Sequence, residues 1–291
     1  MGEHGPLRRR RDTRRGATLW VMSTLPIPPE LLARLLDYDE EDERSSETHF
    51  DRMEEVFATL DSTANRLGLA QAFWEEPEEA VRALGFDLLA VQAHRFDWHV
   101  QPLIEAADAI ALEGAGRAGL KLRRAAANAL ACIVDDARVL NPLLRFARDE
   151  DAVVRWQVAR GIPVGIDPLP PEAVQTLTVM LRDEDSDVRD WAAFALGVRE
   201  NDNPELRDAL ARLLFDADDD TAAEAAYALA LRKDRRVLPV LERVLEQPNV
   251  GRLYFEAAAA LGDPALLPTL RRLRERGEDA DLDRTIVACG G

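Results

Sequence analysis

The sequence has little of what several classes of protein require. Its two cysteines, Cys132 and Cys289, form no Cys-x-x-Cys motif, so a disulfide framework and a zinc or thiol-redox motif of that type are excluded. Only four histidines occur, and no nucleophilic arrangement follows from their spacing. No apolar run approaches the roughly 18 residues that a membrane-spanning helix needs. These absences predict a soluble cytoplasmic protein without catalytic residues, metal or cofactor.

Charge is distributed unevenly between the first 24 residues and the rest. Residues 1–24 contain six arginines and two acids, a net charge of +4, and the remaining 31 basic and 52 acidic residues give −21. A segment of this composition cannot form a core, so we expect residues 1–24 to be a disordered basic extension. Met22 would also make an ordinary start of translation, and a chain that begins there would lack residues 1–21. The alternative is a basic arm for nucleic acid or a membrane.

The segment LRDEDSDVRDWAAFALG, residues 181–197, predicts a turn followed by a helix. In residues 172–182 before it, apolar side chains recur every three or four positions, which indicates one face of a helix. An aspartate in the turn can cap the next helix by accepting backbone N–H bonds. That helix carries a stripe of Val188, Ala192 and Ala195, whose small side chains permit close packing. A single helical hairpin cannot bury this stripe alone, so the unit is expected to recur.

The hairpin recurs at steps of 32–34 residues. Its second helix is repeated in residues 122–131, 154–163, 188–197, 221–230 and 252–263. Its first helix, residues 172–182, is matched by residues 140–148, 204–215, 237–246 and 264–275. Helical hairpins repeated at this period stack side by side and share one continuous core, so they predict an α-solenoid.

The repeated pattern of a leucine-rich helix, an Asp-containing turn and then Val-Arg-x-x-Ala-x-x-Ala-Leu resembles the HEAT-like repeats common in bacteria. The resemblance implies that the Asp-x-x-x-Arg element ties the turn of one repeat to its neighbour. The element is complete from Asp151 to Arg155 and from Asp185 to Arg189, whereas the next copy has Ala222 in place of the arginine. The ladder of turn contacts is therefore expected to weaken at that copy.

We therefore predict an all-α fold, an α-α superhelix (HEAT-like solenoid) of about five to six helical hairpins with an irregular N-terminal helical cap. Residues 1–24 are expected to be the basic extension, residues 25–97 the capping helices with an acidic loop, and residues 98–291 the HEAT-like repeat array. The hairpins are expected to stack as a right-handed superhelix.

Three short motifs suggest a more specific chemistry, and each has a simpler explanation. Gly114, Gly116 and Gly119 match a Gly-x-Gly-x-x-Gly phosphate fingerprint, but helical spacing precedes them where that fingerprint needs a strand. Residues 94–99 hold two histidines and an aspartate at a spacing unsuited to a helical metal pair. Residues 216–220, DADDD, lack the glycine and distal glutamate of a calcium loop. We interpret the three as an interhelical loop, a surface cluster and a helix-capping turn.

A candidate binding strip follows from the geometry of the second helices. At about 100° per residue, the positions one and five after the motif arginine point away from the buried stripe. In HEAT-like hairpins the second helices usually line the concave face, and large aromatic side chains beside arginine are typical of binding hot spots. The alternative is that the rings pack sideways against adjacent helices. The candidate partner-binding residues are Arg124, Trp156, Arg160, Asp190, Phe194, Tyr227 and Phe255.

This fold leaves three functions open. The first is a non-catalytic scaffold or adaptor that binds a protein or peptide of basic or mixed charge on its concave face. The second is a nucleic-acid-acting protein resembling the HEAT-like DNA glycosylases, which needs a basic groove that a body charge of −21 opposes. The third is an accessory subunit of an enzyme complex. We expect the first, with no nucleic-acid or membrane partner.

Removing residues 1–24 is expected to leave the stability of the protein unchanged, because the composition of that segment cannot form a core. The measurement is the thermal unfolding midpoint (Tm) by circular dichroism of the full chain and of a chain that starts at residue 25. A fall in Tm of more than about 3 °C in the shortened chain would contradict this expectation.

Overall fold

The computed structural model describes residues 27–36, 51–56, 58, 63–90, 101–113, 118–163, 165–247, 249–275 and 280–291. The regular elements in these ranges are helices, and no strand occurs among them, so the all-α prediction is confirmed. None of these helices is both long and apolar enough to cross a membrane. The basic extension and the histidine segment, residues 94–99, lie outside the described residues.

The α-helices of the described ranges are numbered in chain order. They are α1 (Pro29–Leu36), α2 (Thr63–Trp74), α3 (Glu79–Ala90), α4 (Gln101–Glu113), α5 (Leu120–Ala131), α6 (Leu140–Arg145), α7 (Ala152–Arg160), α8 (Pro171–Met180), α9 (Ser186–Gly197), α10 (Pro204–Leu213), α11 (Asp219–Leu231), α12 (Leu238–Val244), α13 (Arg252–Leu261), α14 (Leu267–Arg274) and α15 (Ala280–Ala288). Residues 51–56 are also helical. Within the described ranges, 3-10 turns flank α6, α12 and α14: Ala137–Val139, Phe146–Arg148, Arg235–Val237 and Pro264–Leu266.

The chain divides into two compact units, an N-terminal unit of residues 1–132 and a C-terminal unit of residues 133–291. In the N-terminal unit, α3 packs against both α2 and α5. Its approach to α2 is close because Gly85 has no side chain: a Cβ there would lie 2.8 Å from the carbonyl oxygen of Ala70. Phe73 is fully buried beside this contact. A larger residue at position 85 would therefore push α2 and α3 apart.

The C-terminal unit is a stack of helical hairpins. Its described residues form the pairs α6–α7, α8–α9, α10–α11, α12–α13 and α14–α15, and the second helices of these pairs pack side by side in chain order. Alanines permit the close approach, since Ala192, Ala225 and Ala257 are fully buried. A Cβ added at Gly197 would lie 3.1 Å from the Cβ of Ala228. The repeated hairpin predicted from the 32–34-residue period is confirmed.

At two successive steps of the stack, an arginine at the start of the second helix links its turn to the next turn. Arg155 donates from Nε and Nη2 to the two carboxylate oxygens of Asp183, both at 2.7 Å, and from Nη1 to the carbonyl oxygen of Asp149 at 3.0 Å. One repeat later, Arg189 binds the carboxylate of Asp216 at 2.9 and 2.7 Å. The tie between neighbouring turns that the HEAT-like resemblance implies is confirmed. Its acceptor is the first acid of the following turn.

The turn acids also cap the second helices. Asp151, Asp185 and Asp218 each accept the backbone N–H of the residue three positions later, at 3.1, 3.1 and 2.8 Å. The capping interpretation of the segment DADDD is therefore confirmed. Ala222 replaces the motif arginine in α11. The arginine ladder consequently ends at the turn that contains Asp216.

Cations hold the opposite ends of the second helices, an arrangement that the sequence analysis did not anticipate. Arg199, just after α9, donates to the carbonyl oxygens of Pro163 and Ile166 in the preceding repeat. Arg232, just after α11, has a side chain only 5% exposed and donates to carbonyl oxygens at the end of α9, in the loop after it and in its own helix. Carbonyls at a helix C-terminus lack intrahelical donors. These side chains therefore cap one helix while joining two repeats.

The glycine segment that begins at Gly114 joins two helices. Helix α4 ends at Glu113, and Gly119 is the N-cap of α5. A helix thus stands where a dinucleotide fingerprint needs a strand, in agreement with the interpretation as an interhelical loop. Residues 114–117 themselves lie outside the described residues.

Replacing Asp216 with alanine is expected to destabilise the C-terminal unit by about 3 kcal/mol, because Arg189 would keep its charge in a largely buried place without its partner. The two side chains are only 14% and 10% exposed. Hydrogen bonds from Arg189 hold the pKa of Asp216 below its ordinary value of 3.8. The ion pair therefore contributes fully to the free energy of unfolding above pH 3.8, and this contribution is lost as the pH falls through the lowered pKa. The measurement is urea unfolding at pH 7.

A matched control is Glu246→Ala, which removes the carboxylate of an exposed ion pair with Arg272. Exposed pairs contribute little, so this variant is expected to lose less than about 0.5 kcal/mol. Equal losses in the two variants would show that the ladder contact has no special role.

Candidate functional site

The seven residues predicted for partner binding lie on second helices. Arg124 is on α5 in the N-terminal unit, and the other six are on α7, α9, α11 and α13 in the C-terminal unit. Phe194 is 42% exposed, and the remaining predicted residues are partly buried. The side chains at positions one and five after the motif arginine therefore lie outside the core, as expected. Ala223, at position one in α11, is the exception, since it is buried.

Three aromatic side chains form a continuous group, the aromatic shelf, defined as Trp156, Trp191 and Phe194. The ring centroids of Trp156 and Trp191 lie 6.3 Å apart, and those of Trp191 and Phe194 lie 5.6 Å apart, both edge to face. The guanidinium of Arg160 lies 5.0 Å from the centroid of the Trp156 ring, a cation–π distance. The rings thus pack sideways through Trp191, as the alternative interpretation held, while Phe194 keeps an exposed face.

Tyr227 and Phe255 do not join the shelf. Each is partly buried on its own helix, and no ring contact within the described ranges connects either of them to Trp191 or Phe194. The structure therefore brings together Trp156, Arg160 and Phe194 from the predicted set. Asp190 belongs to a second, adjacent feature.

That second feature is a cavity of about 710 Å³ between α9, α11 and α13. We call it the carboxylate cleft and define it by Asp190, Glu224, Phe215 and Tyr254, which line it. Ala222 also lines the cavity. The cleft consequently opens beside the position at which the arginine ladder ends.

Asp190 and Glu224 have strongly shifted pKa values. Burial, and then repulsion by Asp220 and Asp218, raises the pKa of Asp190 to about 6. Burial, and then repulsion by Asp190 and Glu256, raises the pKa of Glu224 to about 7. Both carboxyl groups can therefore take up a proton near neutral pH, and both carry a largely uncompensated charge when they are ionised.

Asp190 also has a hydrogen-bonding deficit. Its Oδ1 is buried, and no donor in the described part of the chain reaches it. A buried acceptor without a donor costs about 1–3 kcal/mol. The cleft is therefore suited to a cation or another strong hydrogen-bond donor. Across the described residues, no group of three or more His, Cys, Asp or Glu side chains is arranged to hold a metal ion.

Helical periodicity did not predict three residues at the second position after the motif arginine in successive second helices: Trp191, Glu224 and Glu256. That position lies about 200° around the helix from the motif, on a flank between the core stripe and the outermost positions. The available signal was the run of large or acidic side chains at this position. A helical-wheel projection of a single helix does not show which flank of that helix faces the next repeat.

Comparison with known proteins agrees with the hairpin architecture. The HEAT repeats family matches residues 111–197 and 174–262, which together cover more than half of the chain. Protein YibA of Escherichia coli, in strain K12 and in O157:H7, is 36% identical over 136 residues, or 47% of this chain and 48% of YibA. In that alignment the chain spans about half the length of the curated relatives it matches.

A solved structure gives the same result for the fold. The X-ray structure of YibA from Escherichia coli matches with a TM-score of 0.68 and 23% sequence identity, over 97% of this chain and 98% of that chain. At this identity, the likeness establishes the fold alone. Together, the repeated hairpins with their turn ladder and the family match over more than half of the sequence show that this chain belongs to the HEAT-repeat family.

Proposed function

We propose that the protein is a non-catalytic scaffold or adaptor that holds a protein or peptide partner on the second-helix face of its C-terminal unit. The observation that carries this proposal is the aromatic shelf, in which the Trp191 ring contacts both Trp156 and Phe194 and Phe194 remains 42% exposed. An aromatic surface beside an arginine, here Arg160 over Trp156, is the composition typical of binding hot spots.

The ladders at both ends of the second helices support this proposal because they make the face rigid. Arg155 and Arg189 join successive turns at one end, and Arg199 and Arg232 join successive repeats at the other. Side chains that are already held in place lose less conformational entropy when a partner binds. The shelf is therefore a preorganised surface.

Charge supports a partner of basic or mixed charge. The chain outside residues 1–24 carries −21, and this count includes the carboxylates of Asp190 and Glu224 next to the shelf. Such a field attracts Lys- and Arg-rich segments and repels phosphate, so it opposes a nucleic-acid function. Association is expected to weaken with salt, because exposed charges are screened over a Debye length of about 8 Å at physiological ionic strength.

The cysteines support a cytoplasmic location for this function. Cys132 and Cys289 are both free thiols. Free thiols persist in reducing compartments, whereas secreted proteins usually pair them.

The double variant Trp156→Ala with Phe194→Ala is expected to lose partner binding while its Tm stays within a few degrees of the unsubstituted chain. Each truncation removes a hot-spot ring and is expected to cost about 1–3 kcal/mol of binding free energy. The measurement is capture of partners by the tagged chain from a lysate of its own organism, followed by the Kd of the purified partner and by Tm.

The matched control is Val179→Ala, an exposed apolar residue on the first helix α8. It is expected to leave both the Kd and the Tm unchanged. A large fall in the Tm of the double variant would identify the rings as packing residues only. Tight binding of duplex DNA at about 0.15 M salt by a chain starting at Met22 would contradict the charge argument.

A further inference from the structure

We infer that the carboxylate cleft takes one lysine or arginine side chain of a basic peptide segment in the partner, while the aromatic shelf contacts apolar side chains beside it. This inference rests on the proposed function and names the side chain that the face selects. The two features share α9, where Asp190 lines the cleft and Phe194 ends the shelf. One helical turn, about 6 Å, separates these residues along α9, so two or three extended residues can reach both features.

The cleft lies beside a position of the repeat pattern at which alanine replaces the motif arginine. In the two preceding repeats, Arg155 and Arg189 put a guanidinium between neighbouring turns. The corresponding residue in α11 is Ala222, and it lines the cleft together with Asn249 of the following turn. The cleft therefore borders a repeat that lacks the motif cation of the two repeats before it.

Among the described residues, the carboxylate of Asp190 is incompletely hydrogen-bonded. Oδ1 of Asp190 is buried without a hydrogen-bond partner, although it belongs to a side chain that faces the cavity. A lysine ammonium carries three donors, and an arginine guanidinium carries five. Either group can form charge-assisted hydrogen bonds, the stronger kind, with the carboxylates of Asp190 and Glu224 that line the cavity.

The cations that line the cleft are engaged with other groups. Nε of Arg252 donates to Glu256 at 2.7 Å, and the guanidinium of Arg243 lies 5.7 Å from the centroid of the Phe215 ring. The charges that act most strongly on Glu224 are those of Asp190, Glu256 and Asp220, and all of them repel it. The cleft is thus a negative site with aromatic walls, which complements the ammonium or guanidinium group of a partner.

Binding of such a cation is expected to depend on pH. A cation binds the ionised carboxylates of Asp190 and Glu224 more tightly than their protonated forms. The pKa values are about 6 for Asp190 and about 7 for Glu224, so both groups are ionised at pH 8 and largely protonated at pH 5. Affinity is therefore expected to fall on acidification. The other charged groups that line the cleft or act on this pair are Asp187, Asp216, Asp218, Asp219, Asp220, Arg243, Arg252 and Glu256.

The test uses a phage-displayed library of random dodecapeptides as the probe and the full chain immobilised at pH 8. The selected peptides are expected to share a lysine or arginine next to apolar residues. The tightest peptide is then synthesised with its basic residue retained, or replaced by citrulline for arginine or norleucine for lysine. Removing the charge is expected to raise the Kd about tenfold or more, and lowering the pH to 5 to reduce that difference.

The decisive variant is Asp190→Asn with Glu224→Gln, which keeps the shape of the cleft and removes the charges of these two carboxylates. In this variant, the difference in Kd between the charged and neutral peptides is expected to be much smaller, so the double-mutant cycle assigns the coupling to Asp190 and Glu224. The control is Glu205→Gln with Glu242→Gln, two exposed carboxylates on the first helices α10 and α12, and it is expected to retain the difference.

A stability measurement shows that the cleft variant is folded. Folding raises the pKa of both acids, so the native state binds more protons and its stability declines as the pH rises from the unfolded pKa values through the folded ones. The cleft variant is therefore expected to have a higher Tm at pH 8, by about 2–4 °C, and little change at pH 5. If the double variant does not fold, Glu224→Gln alone undergoes the same comparison.

The outcomes separate this inference from the proposed function. Selected peptides without a basic residue would overturn the inference, as would a charge effect of equal size in the unsubstituted chain and in the cleft variant. Both results would leave a peptide-binding scaffold in place. Selected peptides whose binding is unaffected by Trp156→Ala with Phe194→Ala would overturn the proposed binding face itself, and a selection that yields no peptide would count against both.

Discussion

A bidentate ion pair between consecutive turns sets the register on which the C-terminal unit depends. Arg155 with Asp183, and Arg189 with Asp216, each join two turns about 30 residues apart through two parallel hydrogen bonds. The geometry of such a pair tolerates little displacement, so the hairpins α8–α9 and α10–α11 are each held at one rotation relative to the hairpin before it. The alanine contacts between second helices, such as that of Ala228 with Gly197, depend on this rotation.

The end of the arginine ladder explains why the cleft lies where it does. With Ala222 in place of an arginine, a guanidinium is missing from the turn region, and the neighbouring charges that act most strongly on the carboxyl groups of Asp190 and Glu224 repel them. A cation within the fold would stabilise the array at that step. Its absence leaves a site that can accept a cation from elsewhere, so fold stability and ligand binding make opposite demands on the same position.

Particular residues show how far the binding face could be predicted. Helical periodicity placed Trp156 and Phe194 away from the core, and the structure agrees. The same argument assigned Tyr227 to one continuous strip, whereas the ring contacts end at Phe194. Trp191 was missed because its flank position is buried or exposed depending on the neighbouring helix. A periodicity argument treats each helix alone and therefore does not resolve contacts between helices.

The sequence by itself determined the hairpin, its period and the capping turns. Each rests on contacts within a few residues, as when Asp185 accepts the N–H of Val188, or on the comparison of equivalent positions in successive copies. Only the tertiary structure decided that Trp191 joins two other rings and that Asp190 and Glu224 face one cavity. These contacts depend on the rotation between hairpins, which arises from packing and ion pairs between residues about 30 positions apart and has no local periodic signal.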